Sequence, residues 1–167
     1  MNPIGALIFS LCLGLVALPA SAQTTNVAFG NTKADPSQPV EVTADQLDVN
    51  QEDGSAEFQG NVLISQGVMK LSAKRVLVIY SQDEKAIDRL EATGDVVLVS
   101  GEDAAEADRA EYTIASGVIV MTGNVLLNQG PNVISSQAMT VNLTSGTAQM
   151  TGRVKTVLNP DGNNGNN

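Results

Sequence analysis

From Val40 onward apolar and polar residues alternate over most of the chain, the signature of half-buried strands. Val40-Glu41-Val42-Thr43 alternates, Ala44-Asp45-Gln46 breaks the parity, and Leu47-Asp48-Val49 resumes it on odd positions. Asp53-Gly54 is a hairpin signal. Ala56, Phe58, Val62 and Ile64 then share one face of a strand centred on Gly60-Asn61-Val62. A turn at Gln66-Gly67 leads into Leu71–Val78, a polar turn over Ser81–Lys85 and the strand Ile87–Val99. Two further pairs follow: Glu106–Ile114 with Ile119–Leu127, and Ile134–Val141 with Ala148–Leu158. Their turns lie at 115–117 and 144–146. Only Asp103–Glu111, rich in Ala and Glu, favours helix by local propensity, and its place in the pattern assigns it to strand.

The pattern repeats. Gly60-Asn61-Val62 returns as Gly94-Asp95-Val96, Gly123-Asn124-Val125 and Gly152-Arg153-Val154, with glycines 34, 29 and 29 residues apart. A second set of markers, Ala44, Ala73, Ala107 and Ser136, is spaced by 29, 34 and 29. Periods of this size mark stacked units that bury their apolar faces only against neighbours. The expectation is an all-β fold: an elongated, repetitive sheet, bent or rolled, with about 29 residues per two-strand unit. Glycine inside a strand marks a bend or a close approach, so the four glycines are expected to fold the sheet along one line. The inward face comprises Val42, Leu47, Val49, Phe58, Val62, Ile64, Leu71, Val76, Val78, Val96, Leu98, Tyr112, Ile114, Ile119, Met121, Val125, Leu127, Ile134, Met139, Val141, Met150 and Val154. Such a face suits a closed core or the lining of a groove, and composition does not separate the two.

Residues 1–22 contain no charged side chain, carry an apolar run from Ile4 to Leu18 and end in Ala20-Ser21-Ala22. That is a secretory signal peptide, with cleavage expected after Ala22. Cys12, the chain's one cysteine, lies inside it. Export then leaves a domain without disulfides, held by its core and its ladders. Residues 23–38 are polar without apolar period and read as a flexible leader, with order expected from Pro39. The ordered domain is expected over 39–160, and 161–167 reads as a disordered tail.

Nine basic against 18 acidic residues give a formal net charge of −9, which argues against binding a phosphate backbone. Nucleic acid is therefore not an expected partner. There is no His, and after cleavage no Cys, so the usual nucleophile–base pairs and zinc sites have no material. Carboxylate pairs such as Glu102/Asp103 and Glu106/Asp108 sit in or beside turns and read as solvated surface. No catalytic residue, metal or cofactor is assigned; the expectation is a protein that is not an enzyme.

Pro39–Asp45, Ala56–Ile64 ending F-Q-G-N-V-L-I, Gln66-Gly67, Leu71–Val76, Met121–Val125 and Gly152–Leu158 together resemble the OstA-like family over about Pro39 to Pro160. The chain departs from that pattern around Gly94–Glu106, which is shorter and more acidic. The resemblance implies a β-jellyroll in the periplasm and a role in outer-membrane biogenesis. It implies a groove lined by the inward residues, holding the lipid A part of lipopolysaccharide. Tyr112 and Ile114 match the family's aromatic-x-aliphatic pair facing the lipid. It further implies head-to-tail assembly into a bridge between an inner-membrane-anchored component (LptC-like) and an outer-membrane assembly component (LptD-like). The edges expected to join are Val40, Glu41 and Val42 at one end and Val154, Lys155, Thr156, Val157 and Leu158 at the other. The alternative is a structural or carbohydrate-binding β-repeat protein with a closed interior.

Overall fold

The computed structural model describes residues 24–30, 37–50, 52, 54–81 and 86–158. The expected signal peptide and the 161–167 tail lie outside them. Among the described residues every regular element is a strand: β1 (Thr24–Ala28), β2 (Glu41–Thr43), β3 (Gln46–Asn50), β4 (Ser55–Gln66), β5 (Met69–Tyr80), β6 (Ile87–Ser100), β7 (Asp103–Thr113), β8 (Val118–Gln129), β9 (Asn132–Asn142), β10 (Thr147–Thr151) and β11 (Lys155–Val157). The Ala- and Glu-rich window is strand β7. Strands β4 to β10 pair with their chain neighbours in one antiparallel meander; β2 and β3 both flank β4, and β11 flanks β9.

Each long strand is bent at its middle, and the register shows how. Gln59 faces Arg75 and Val62 faces Ala73, so β4 carries one more residue than β5 across this step. The surplus falls on Gly60 and Asn61, at φ +74° and +44°. The same pair of left-handed residues recurs at Gly94-Asp95 in β6, Gly123-Asn124 in β8 and Gly152-Arg153 between β10 and β11. An extra residue in one strand of a pair bends and twists it. Left-handed backbone favours Gly first and Asn or Asp next, which explains three of the four second positions. Arg153 is the exception.

Opposite each glycine lies a corner residue of the neighbouring strand. A methyl built on Gly60 would sit 2.5 Å from Asp45 Oδ2, and one on Gly123 would sit 2.9 Å from Asp108 Cβ. Lys74 packs over Gly94 and Gln137 over Gly152 in the same manner. Three of the four corners are also tied by side chains: Asn61 Nδ2 donates to Asp45 Oδ2 at 2.8 Å, Asn124 Nδ2 to Asp108 Oδ2 at 2.9 Å, and Lys74 Nζ meets Asp95 Oδ2 at 2.6 Å. The glycines therefore bend the sheet along one line, as the repeat predicts, and what approaches them is a side chain.

The line of corners divides the sheet into two wings. Wing A holds β3, the first half of each even strand from β4 to β8, the second half of β5, β7 and β9, then β10 and β1. Wing B holds β2, the complementary halves and β11. In the bulged strands the inward parity passes the corner unchanged, as in Ile119, Met121, Val125 and Leu127. In the others it switches, as from Leu71 and Ala73 to Val76 and Val78. That switch is the parity break visible at Ala44-Asp45. The five surplus residues of the long repeat fall between Ala73 and Gly94, where the β5–β6 connection is closed by Ser81 N donating to Ala86 O at 2.9 Å.

One expectation is overturned. The 23–38 stretch, read as a flexible leader, contains β1, which pairs with β10 from Thr24↔Thr151 to Ala28↔Thr147. Phe29 directly after it is buried, at 2% exposure. Five residues with a single apolar side chain beyond alanine give too short a pattern to register as a strand; the pairing comes from the edge of β10, distant in sequence.

Candidate functional site: an apolar interior between two wings

The inward residues of both wings meet in one cluster. Val62, Ile64, Leu71, Val76, Val78, Val96, Leu98, Tyr112, Ile119, Met121, Val125, Leu127, Met139, Val141 and Met150 are all buried nearly completely, and Ile134 almost as fully. Val42, Phe58, Ile114 and Val154 are half-buried and packed against them. The structure thus brings together all but two of the residues expected to line the interior. Those two, Leu47 and Val49 on β3, are 50% and 63% exposed. Among the described residues β3 is the outermost strand of wing A, paired with β4 on one side and uncovered on the other.

The inward side chains pack against one another along most of the interior. Through the middle of the sheet the wings close on each other. Small side chains at Ala73, Ala92, Ala105, Ala107 and Ala110 permit the close approach. Interior residues the pattern missed, Met69, Leu90 and Leu143, complete the closure at the rims. The opening lies at the β3 end. There Leu47, Val49, Ala56, Phe58 and Tyr80 line a cavity of about 460 Å³. A larger depression of about 660 Å³ on the outside of the corner line, around Glu106, Leu126, Ser135, Gln137 and Arg153, is formed by outward-facing residues. Most of its lining is polar and faces away from the apolar rows, with only Val125 and Ser136 buried beneath it.

Two polar ties hold the mouth of the V. The Tyr112 hydroxyl, in wing A, donates to Gln66 Oε1 at the end of wing B. Burial pushes the Tyr112 hydroxyl above its ordinary pKa. The second tie is the segment after β1. Phe29 N donates to Gly146 O of wing A at 3.0 Å, and the next amide, Gly30 N, donates to Asp103 Oδ2 of wing B at 2.8 Å. Gln129 Nε2 bonds both Ala28 O at 2.8 Å and Asp103 Oδ2 at 3.1 Å. Phe29 is thereby seated across the mouth. Among the described residues no buried side-chain polar atom lacks a partner, and most of the buried side chains are apolar, with Gln66, Ser100, Asp103 and Ser136 the buried polar ones.

The expected assembly edges are also partly rearranged. At the N-terminal end wing B ends in β2, with Glu41 and Val42, and wing A ends in β3. At the C-terminal end β11, with Lys155 to Val157 exposed, is the free edge of wing B. The matching edge of wing A is covered by β1.

A bent antiparallel sheet folded over a largely apolar interior, with exposed strands at its ends, defines an elongated β-jellyroll. The chain belongs to the LptA/(LptD N-terminal domain) LPS transport protein family, whose model matches residues 41–147. The OstA-like resemblance read from the motifs is thereby confirmed. The structure is similar to that of LptH, the LptA homologous periplasmic component of the conserved lipopolysaccharide transport device from Pseudomonas aeruginosa. The TM-score is 0.64 at 16% identity, over 76% of this chain and 99% of LptH, a likeness of fold. An uncharacterized protein of Rhizobium meliloti (strain 1021) is 29% identical over 121 residues, 68% of this chain and 65% of that protein. The chain thus spans slightly less than two thirds of that relative's length.

Proposed function

We propose that the chain is a non-enzymatic periplasmic carrier that holds the acyl chains of lipid A between its wings. In the same reading it assembles head to tail into a bridge between an inner-membrane-anchored component and an outer-membrane assembly component. The observation that carries the lipid reading is the exposed apolar end. Leu47 and Val49 stand exposed and line a cavity together with Ala56 and Phe58, which belong to the inward, largely apolar face. Each acyl methylene removed from water contributes about 0.8 kcal/mol, so one chain of about twelve carbons supplies roughly 10 kcal/mol before the cost of parting the wings. That cost is moderate in kind. Ladder hydrogen bonds run within each wing, so parting them breaks the few mouth ties and exchanges apolar contacts for other apolar contacts. Membership of a lipopolysaccharide-transport family supports the ligand class.

The closed middle favours a second reading, a structural or carbohydrate-binding β-repeat. Capture of purified lipopolysaccharide by dilute exported protein separates the two. Leu47→Glu and Val49→Glu, at exposed positions that do not endanger folding, reduce capture several-fold, whereas Val68→Glu, on the exposed β4–β5 turn, does not. Equal capture by all three removes the port, and no capture by the unaltered chain removes the carrier reading.

A further inference from the structure

The edge of wing A at the C-terminal end is occupied by the chain itself. β10 runs from the rim at Gly146 to the corner at Gly152, and β1 lies against it in the opposite sense, from the corner outward. β3 at the other end of the molecule also runs from corner to rim, from Gln46 beside Asp45 to Asn50. A second copy docked head to tail would set its β2 against β11 and its β3 against β10, both antiparallel, continuing the meander. β1 sits in the place of that β3.

The two strands share a pattern. Thr25 and Val27 of β1 lie opposite Met150 and Ala148 on the inward side, while Asn26 and Ala28 are exposed. In the same register β3 presents Leu47 and Val49 inward with Asp48 and Asn50 outward. Replacing Thr25 by Leu47 puts a larger apolar side chain against Met150, and it buries two residues that are exposed in the free chain. Phe29, which anchors β1 by plugging the mouth, would leave with it. Among the described residues β11, the wing B half of the same joint, has no such cover.

We infer that β1 is a built-in stand-in for the edge strand of a second copy, and that docking of that copy's β3 on β10 displaces β1 and withdraws Phe29 from the mouth. The inference rests on the head-to-tail reading above. Strand addition to a sheet edge supplies main-chain bonds from either occupant, so the exchange turns on the side chains. Self-occupancy also lowers the apparent affinity of the joint by the fraction of chains with β1 released.

The test staples β1 to β10. Asn26 and Gln149 are directly opposed and both exposed, so Asn26→Cys with Gln149→Cys, in a Cys12→Ser background, forms a cross-strand disulfide in the exported chain. Sedimentation velocity is recorded over a concentration series, oxidised and reduced. The oxidised chain is expected to require at least about tenfold higher concentration to associate than the reduced one. Phe29→Ser, which loosens the anchor, associates at lower concentration than the unaltered chain. Association of the oxidised chain equal to that of the reduced chain overturns the inference and leaves head-to-tail assembly standing. If the reduced chain and Phe29→Ser both stay monomeric throughout, assembly itself is refuted, and the inference with it.

Discussion

Gly123 and Gly130 lie on and just beyond the same strand, both at positive φ (+80° and +55°), and differ in what surrounds them. A methyl at Gly130 meets nothing within 4 Å. A methyl at Gly123 meets Asp108 Cβ and Cγ, both at 2.9 Å. Gly130→Ala therefore pays only the left-handed backbone, about 1 kcal/mol. Gly123→Ala adds two terms. Asp108 must swing off its rotamer, roughly 0.5–1.5 kcal/mol. Its solvent-exposed bond from Asn124 is then lost, about another 0.5–1 kcal/mol. The expected cost at Gly123 is thus about 2–4 kcal/mol, against about 1 at Gly130. With no tryptophan in the chain, urea unfolding followed by far-ultraviolet circular dichroism is the suitable assay. A lower midpoint for Gly123→Ala at unchanged slope is expected. Midpoints that coincide would show that corner crowding contributes nothing and that the bend is held elsewhere.

Three further outcomes follow from particular residues. Arg153 takes φ +48°, where Asn stands at two equivalent corners; Arg153→Asn is expected to raise stability by about 0.5–1 kcal/mol, and a lower urea midpoint would contradict this. Tyr112 has its pKa raised in the folded chain, so above pH about 10 the unfolded state loses a phenolic proton that the folded state keeps, and stability falls as pH rises. Tyr112→Phe removes that part of the alkaline fall and, by deleting the buried hydrogen bond to Gln66, costs about 0.5–1.5 kcal/mol at neutral pH; an unchanged fall in the variant would rule Tyr112 out as its source. Val157→Lys on the exposed β11 edge is expected to weaken self-association with the urea midpoint within about 0.5 kcal/mol of the unaltered chain; sedimentation unchanged at high concentration would refute the role of that edge.

Much of this fold was legible because the repeat carries its own explanation. Gly60, Gly94, Gly123 and Gly152 announce the bend line, and the parity breaks at Ala44, Ala73, Ala107 and Ser136 mark where the unbulged strands cross it. The interior rows follow from alternation alone. Four features were not legible, each for a physical reason. β1 has too few apolar residues to show a period, and its partner lies more than a hundred positions away. Leu47 and Val49 obey the inward alternation, yet burial needs a neighbouring strand, which an edge lacks. The separation of the wings depends on side-chain volumes summed across two facing layers. Alanines at 73, 92, 105, 107 and 110 therefore close what alternation alone leaves undecided. The polar tie from Tyr112 to Gln66 joins residues 46 apart, and no local spacing signals it.

Photocrosslinking in cells tests the central claim most directly. A photoreactive residue is placed at Phe58, Tyr112 or Leu127, which face the interior, and at Glu57, Thr113 or Val120, which face outward. The carrier account predicts lipopolysaccharide adducts several-fold stronger at the three interior positions than at the three outer ones. Interior labelling no stronger than outer labelling would contradict it.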